Sequence, residues 1–509
     1  MKKKFDGNYW RDQIVRSKDA HKDFFDRAKE SINQYSRKSD IADVKRRLGV
    51  WWYVVESILP VYCSRIPKVE VQLRKKAGNV IDQVACVSLE RATQFCLDDH
   101  FDFLNTTIAS AKSFLLAGRG VLWARYDARL RDENVEYAIF QDPNTGTFTD
   151  ASGNPVDITN LEIEQEEDGS FVAHEKLKAK DDERAIIENI FYKDFLVSPV
   201  RSESEVEWKA RRAYLDRDEV IERFGVKVAD TTSYDIVPED VKRNQRAMDG
   251  MTLEGKSEWY EIWSEKTGKV HWLTENGRSP ILETGDAPLY FNDFYPCVEL
   301  NANLDTSSII PNCDYHHARD TILEIERLTT RIHSCLQAVR VSGVYDGTFG
   351  DALESVISAD FTIRPLKKWP TYKAKGGMLN MIEMFDISPY VNALSTLTEA
   401  REAALNKLYE LMKASDIVRG VTDAQETATA QELKSGWASY GLKVRQAQFT
   451  KFVSDAIGKI SEIIVNEFDE PHIANMCDAD EILSQASQDP SAQGVSWTAV
   501  VQSMKSGVS

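Results

Sequence analysis

ARDTILEIERLTTRIHSCLQAV, residues 318–339, is the stretch on which the fold turns. Ala318, Ile322, Ile325, Leu328, Ile332, Leu336 and Val339 recur at intervals of 4, 3, 3, 4, 4 and 3. That spacing lays one apolar stripe along a helix. Glu324 and Arg327 are placed to pair beside it. A second helix is expected over 390–413, with Leu397, Ala404, Leu408 and Leu411 on its apolar side. Between the two, 341–345 and 360–366 read as short strands, separated by Gly347 and Gly350. A basic stretch with glycines follows at 367–377. Residues 414–424 read as a loop around Gly420, and Thr422 with Gln425 resembles a capping box. The helix that it starts is expected to reach Phe468, bending near Gly436 or Gly441, with Phe449, Phe452, Val453, Ile457, Ile460 and Ile464 as its late apolar set. Pro471 reads as a stop.

Composition sets outer bounds. A chain of 509 residues, 42% hydrophobic and 28% charged, has room for two to four folded regions. The expected class is mixed α+β and predominantly helical. A net charge of -18 argues against a general nucleic-acid-binding surface, yet suits a wall past which DNA slides. The seven cysteines include no CxxC pair and read as free thiols. Lys2, Lys3 and Lys4 precede no apolar core, so no signal peptide is expected. The apolar run 50–63 contains Glu56 and Pro60 and is too short to span a bilayer. It reads as a buried helix end, with membrane contact at Trp51 and Trp52 as the alternative.

Residues 8–37 read as a charged, exposed helix docked through Phe24 and Phe25, and 41–61 as a second helix. A strand is expected at 69–73, helices at 80–97 and 101–116, and a break at Ala117-Gly118-Arg119-Gly120 before a strand at 121–126. The acidic stretch 142–184 reads as an exposed hairpin or mobile loop, and 186–196 as strand material. Asp216 is placed to cap a helix that Gly225 stops. Residues 257–263 and 269–273 form a hairpin, in which Tyr260, Ile262, Val270 and Trp272 alternate at period two. The last forty or so residues read as a small helix and a frayed tail.

Candidate chemistry is thin. Neither Gly118 and Gly120 nor Gly376 and Gly377 fit a phosphate loop. Asp98, Asp99, His100 and Asp102 form the densest acidic and histidine cluster. It reads as a link between helices, with a metal-dependent hydrolase or nuclease as the alternative. His316 and His317 are adjacent and diverge on a helix, so they do not share one metal. Lys209, Arg211, Arg212 and Arg217 read as a solvated or salt-bridged strand edge, with nucleic-acid binding as the alternative. Lys367, Lys368, Lys373 and Lys375 interleave with Trp369 and Tyr372 and suit either a DNA backbone or a protein partner. No cofactor, metal or catalytic residue is expected.

Several stretches together resemble the portal proteins of tailed bacteriophages, in particular those of short-tailed phages. They are LLAGRGVLWARY (115–126), FLVSP (195–199), YEIW (260–263), PLYFNDFYP (288–296), DTILEIERLTTRI (320–332) and ETATAQELK (426–434). The resemblance covers roughly residues 10–470. It implies a closed ring of subunits, commonly twelve, at one vertex of the virion capsid, assembled in the cytoplasm of the host bacterium. Double-stranded DNA would pass through it in packaging and ejection without sequence-specific reading. The capsid protein, terminase and tail or head-completion proteins would be its partners, with no stable membrane insertion. The resemblance maps 1–300 to a wing, with 142–184 as a flexible acidic insertion. It makes 301–340 and 388–413 the stem helices, 341–387 the clip and 414–424 a tunnel loop. A long wing helix at 425–470 and a short crown or tail at 471–509 complete it. It assigns ring packing to Ile322, Ile325, Leu328, Ile332, Leu397 and Leu408. Partner docking falls to Lys367, Lys368, Trp369, Tyr372, Lys373 and Lys375, and DNA contact to Asp416, Ile417, Val418, Arg419 and Gly420. A capsid-associated scaffold without DNA contact is the remaining alternative.

Overall fold

The helix α1, Gly7–Tyr35, carries a buried stripe of Trp10, Ile14, Ser17, His21, Phe24, Ala28 and Ser31. The intervals of 4, 3, 4, 3, 4 and 3 keep that stripe on one face. The helix is therefore half-buried, where an exposed one was expected. Three polar residues interrupt its apolar run and hide the stripe from a hydrophobicity reading. Trp10 and Ile14 enter a core with Leu196, Trp208, Ala210, Tyr260, Ile262 and Leu273.

The computed structural model describes residues 5–38, 44, 47–63, 67–73, 79–141, 148–149, 162–165, 171–234, 255–274, 280–338, 343–345, 373–374, 382–384, 386–412, 428–487 and 495–507. The architecture is mixed α+β, with antiparallel sheets. Two compact units divide the chain. The larger comprises Met1–Lys29, Leu59–Cys313 and Lys443–Ser509; the smaller comprises Glu30–Ile58 and Asp314–Leu442.

In the larger unit, α3 (Val80–Phe95) starts on an Asn79 capping box and runs through a π-helical turn, Cys96–His100, toward α4 (Phe103–Ala117). Gly118 ends α4 in the left-handed region at φ 92, as its place in the sequence requires. A Cβ on Gly120 would lie 2.7 Å from Ser110 Oγ, so glycine there lets the chain turn back against α4. The chain then enters β1 (Arg119–Gln141), which pairs with β4 (Phe171–Asn189) over nearly its whole length. Two short strands, β2 (Phe148–Thr149) and β3 (Glu162–Gln165), pair with β1 and β4, so the described part of the acidic stretch is antiparallel sheet, the hairpin of the two expected alternatives. The segment 67–73 forms no strand. Val69 and Val71 instead donate their N–H groups to Gln94 and Glu90 of α3, at 3.0 and 3.2 Å.

A five-stranded meander joins β5 (Phe195–Val197), β6 (Trp208–Leu215), β7 (Ser257–Ser264), β8 (Lys269–Thr274) and β9 (Ile281–Asp286). The expected helix after Asp216 is present as α5 (Arg217–Phe224), and α6 (Val226–Thr231) follows it. Antiparallel register sets Tyr260 opposite Leu273 and Ile262 opposite His271. Val270 and Trp272 therefore lie on the other face from Tyr260 and Ile262, a separation that period two within each strand does not reveal. The second face stacks Trp259 on Phe224 at 4.4 Å.

That face also meets β1, β4 and β10 (Cys297–Asn301) through charge. Lys209 reaches Glu299 at 2.8 Å, and Arg211 reaches Glu188 at 3.3 Å while lying 5.0 Å over the Trp123 ring. Ion pairs thus account for Lys209 and Arg211, along with Arg212 to Asp194 and Arg217 to Asp230.

The C-terminal segment is packed where a frayed tail was expected. Pro471 opens a new helix, α10 (Glu470–Cys477), after α9 (Ala428–Glu467) ends. Helices α11 (Ala479–Ala486) and α12 (Trp497–Gly507) complete it, and α10, α11 and α12 all lie against α3. Val500, Val501 and Met504 are buried, and Ser503 Oγ donates to Asp82 at 2.8 Å.

In the smaller unit, α7 (Asp314–Ala338) packs against α8 (Ser388–Leu411). The strands β11 (Gly343–Tyr345) and β12 (Ile382–Met384) pair antiparallel beside the adjoining ends of these helices. The strand expected at 360–366 lies outside the described residues, whereas the helix expected from 41 begins only at Val50: residues 44 and 47–49 are not helical, and Gly49 holds a positive φ of 73. The described part of that helix is α2 (Val50–Tyr62), with Pro60 in its last turn.

Val500→Asp tests the packed C-terminus. It places an unpaired carboxylate at a fully buried position and is expected to cost roughly 3–5 kcal/mol. Urea denaturation of the variant checks this, and an unchanged midpoint would restore the frayed tail.

Candidate functional site

The α7–α8 pair is the element on which the functional expectations converge. Ile322, Ile325 and Leu408 are fully buried and Ile332 is buried, while Leu328 and Leu397 are half-buried. Leu328 and Leu397 thus keep part of their surface exposed on the single chain. The buried positions of α8 are Ala404 and Leu408, followed by the buried Met412 at its C-cap, and Leu411 is exposed. The apolar side thus follows a spacing of four where the expectation moved to 411. No ion pair joins Glu324 to Arg327 among the described residues.

Glu326 of α7 was not foreseen. It is 0% exposed, and its carboxylate accepts from Leu48 N at 2.7 Å and Gly49 N at 3.2 Å. Those amides immediately precede α2, where helical N–H groups lack internal partners and a negative charge is favoured. Gly49 holds φ at 73, a left-handed conformation that admits glycine readily. Arg319 of α7 bonds Glu30 at 2.6 Å, and Trp51 lies 5.5 Å from Tyr315. The first turns of α2 and the end of α1 are thereby fixed to α7. Trp52, in contrast, is 51% exposed.

Of the expected docking residues, Lys373 is exposed; Lys367, Lys368, Trp369, Tyr372 and Lys375 lie outside the described residues. Asp416, Ile417, Val418, Arg419 and Gly420 lie outside them too.

The acidic and histidine cluster before α4 is absorbed into local structure. Asp98 accepts from Gln94, Asp102 caps α4 through Asn105 N, and His100 Nδ1 accepts from Ala185 N at 3.3 Å. Among the described residues, no group of three or more His, Cys, Asp or Glu side chains is placed to hold a metal. His316 and His317 are both exposed.

A cleft of about 360 Å3 is lined by Tyr62, Phe103, Phe449, Val453 and Ile457, with Lys68 and Glu70 among its walls. Cys63 also lines it, but burial pushes that thiol up to about 12, so it stays protonated and weakly nucleophilic at neutral pH.

Two buried polar networks hold the larger unit. In the first, His21 Nδ1 donates to the Ser17 carbonyl at 2.8 Å, which leaves Nε2 to accept from Arg119 Nη1 at 3.1 Å. Arg119 is 1% exposed; its Nε donates to Asn301, and its guanidinium lies over Phe24 and Phe195. Burial, then the Arg119 charge, lowers His21 to about 3. Burial alone would raise Glu299, but Lys209 and Arg119 outweigh it and hold the carboxylate ionised. In the second network, Glu183 accepts from Tyr126 Oη at 2.6 Å, Lys180 at 3.0 Å and Asp469 N at 2.9 Å. It fastens the chain just beyond α9 to β4. Both arrangements position elements, and neither brings a nucleophile to a base.

The chain matches no protein-family model and no curated protein.

His21→Gln gives a pH test of the first network. The folded group is neutral down to about pH 3, whereas the unfolded one protonates near 6.5. The unfolded chain therefore binds more protons between those values, and parent stability falls as pH falls through that window. The stability gap between parent and His21→Gln is expected to narrow there by up to a few kcal/mol. Urea midpoints at several pH values measure it; a constant gap would contradict a buried neutral histidine.

Proposed function

We propose that the chain is the subunit of a ring-shaped conduit of the portal type, set at a capsid vertex of a virion. The observation that carries the reading is the arrangement of α7, β11, β12 and α8. Two helices of 25 and 24 residues, each about 36 Å long, pack together and are clasped at adjoining ends by a strand pair. The 40-residue α9 follows them in the chain, in the place that a portal's wing helix would take after stem, clip and stem. Stiff paired helices suit a channel wall. A subunit charge of -18 makes any ring strongly acidic, which repels phosphates and limits sticking.

In this reading, residues 341–387 dock terminase and then tail or head-completion proteins. The loop at 414–424 touches passing double-stranded DNA loosely through Arg419, without reading its sequence. A separate ATPase supplies the energy. No helix of the described residues is long and apolar enough to cross a membrane.

Native mass measurement and negative-stain imaging test the proposal. A large closed oligomer with an axial hole is expected, and a monomer at every salt concentration would reject it. Deleting 416–422 is expected to leave rings assembled while particles lose packaged genome. Full retention of DNA by such particles would remove the loop's assigned role.

A further inference from the structure

Two histidines meet one buried phenylalanine between α9 and α10. Phe468 is 2% exposed, and its ring lies 6.4 Å from His100, 5.4 Å from His472 and 5.9 Å from Tyr126. His100 ends the π-helical turn that follows α3, and His472 lies in the first turn of α10. Phe95 packs edge-on against His100 at 5.6 Å. Both imidazoles are half-buried and both are bonded to the backbone of β4. His100 Nδ1 accepts from Ala185 N at 3.3 Å, and His472 Nε2 donates to the Glu183 carbonyl at 3.1 Å.

The two bonds respond differently to a proton. A carbonyl accepts from Nε2–H in the neutral and the charged ring alike, so His472 keeps its bond in acid. Ala185 N is a donor, so its bond needs an unprotonated Nδ1 on His100. A protonated ring would set N–H against N–H and leave the Ala185 amide without its acceptor. Burial, then His472 of α10 and Arg184 of β4, hold His100 below its ordinary 6.5, against Asp182 of β4. Asp182 is itself paired with Arg184 at 2.8 Å. On the side of the π-helical turn, Asp98 and Asp102 are bonded to Gln94 and Asn105, and Asp99 is exposed. At the end of α9, burial raises the carboxyl of Glu467, with Lys180 opposing. Its protonation in acid favours the closed corner, the opposite sense from His100. Burial alone would raise Glu183, but its bonds from Tyr126, Asp469 N and Lys180 outweigh that and keep it ionised in mild acid.

We propose that His100 is an acid-sensitive latch: its neutral Nδ1 ties the π-helical turn to β4, and its protonation beside His472 loosens the seat of Phe468 between them. The seated ring takes a proton less readily than a free one. Protons therefore favour the open form as pH falls below 6.5, and the closed form is favoured above it. The opening is local, because the ionised Glu183 still holds Asp469 N and Lys180. The latch lies within the larger unit and does not depend on the portal reading.

Hydrogen exchange followed by mass spectrometry tests this on the full chain, with rates corrected for the intrinsic effect of pH. Peptides covering 183–190 and 465–474 are expected to lose about tenfold in protection between about pH 7.5 and 5.5, while β7 and β8 keep theirs. In His100→Asn, the side-chain carbonyl can accept from Ala185 N but cannot take a proton. That variant is expected to match the parent at the higher pH and to show no fall at the lower. His472→Gln keeps a donor and removes the second charge, so its fall is expected to begin at higher pH than in the parent. A parent without the fall, or a fall that survives in His100→Asn, overturns the latch. Should the asparagine variant fail to fold, the His472→Gln comparison decides, because an unshifted fall also overturns it.

Discussion

Two antiparallel helices lying side by side can bury only one stripe of each against the other, and the α7–α8 pair is built on that constraint. Ile322, Ile325, Ala404 and Leu408 are buried side chains of the pair. The remaining surface of both helices is left to solvent, to another segment or to another copy. The smaller unit answers part of this need internally. It brings Glu326 to the amides of Leu48 and Gly49, and Arg319 to Glu30. At the first turns of α8, Tyr390 and Val391 are 48% and 47% exposed among the described residues.

The larger unit solves a different problem. Its two main sheets meet through Lys209, Arg211, Glu188 and Glu299 as well as through Trp123. Buried charges are costly to desolvate and tolerable only when paired. Here each basic side chain of β6 finds a carboxylate on another strand or loop. The pairing fixes the angular placement of the sheets more closely than apolar contact does, because ion pairs have direction. The same logic governs His21, which stays neutral so that Arg119 has an acceptor inside the core.

Much of the fold was legible in local pattern. The stripe from Ala318 to Ile332 foretold α7, Asp216 and Gly225 bracketed α5, and the turn ending at Gly268 located the β7–β8 hairpin. Each of these signals lives within one helix turn or one strand pair. The buried side of α1 was not legible, because Ser17, His21 and Ser31 look like solvent-facing residues until their partners are known. Glu326 was hidden for the same reason. A glutamate beside Ile325 reads as surface, and only the arrival of two unpaired amides from residues 48 and 49 makes burial tolerable.

By itself, then, the sequence determined α7, α5 and the β7–β8 hairpin, the caps and glycines that bound them, and that charge is abundant and net acidic. Periodicity and backbone sterics are local, so they survive without knowledge of distant contacts. The tertiary structure alone decided which face each element buries, and it paired the basic run of β6 with carboxylates on other elements. It alone packed α10 to α12 against α3, and brought Glu326 to the amides of Leu48 and Gly49. Those outcomes depend on residues far apart in sequence meeting at a few ångströms, and the desolvation and pairing energies that choose among them exist only once they meet.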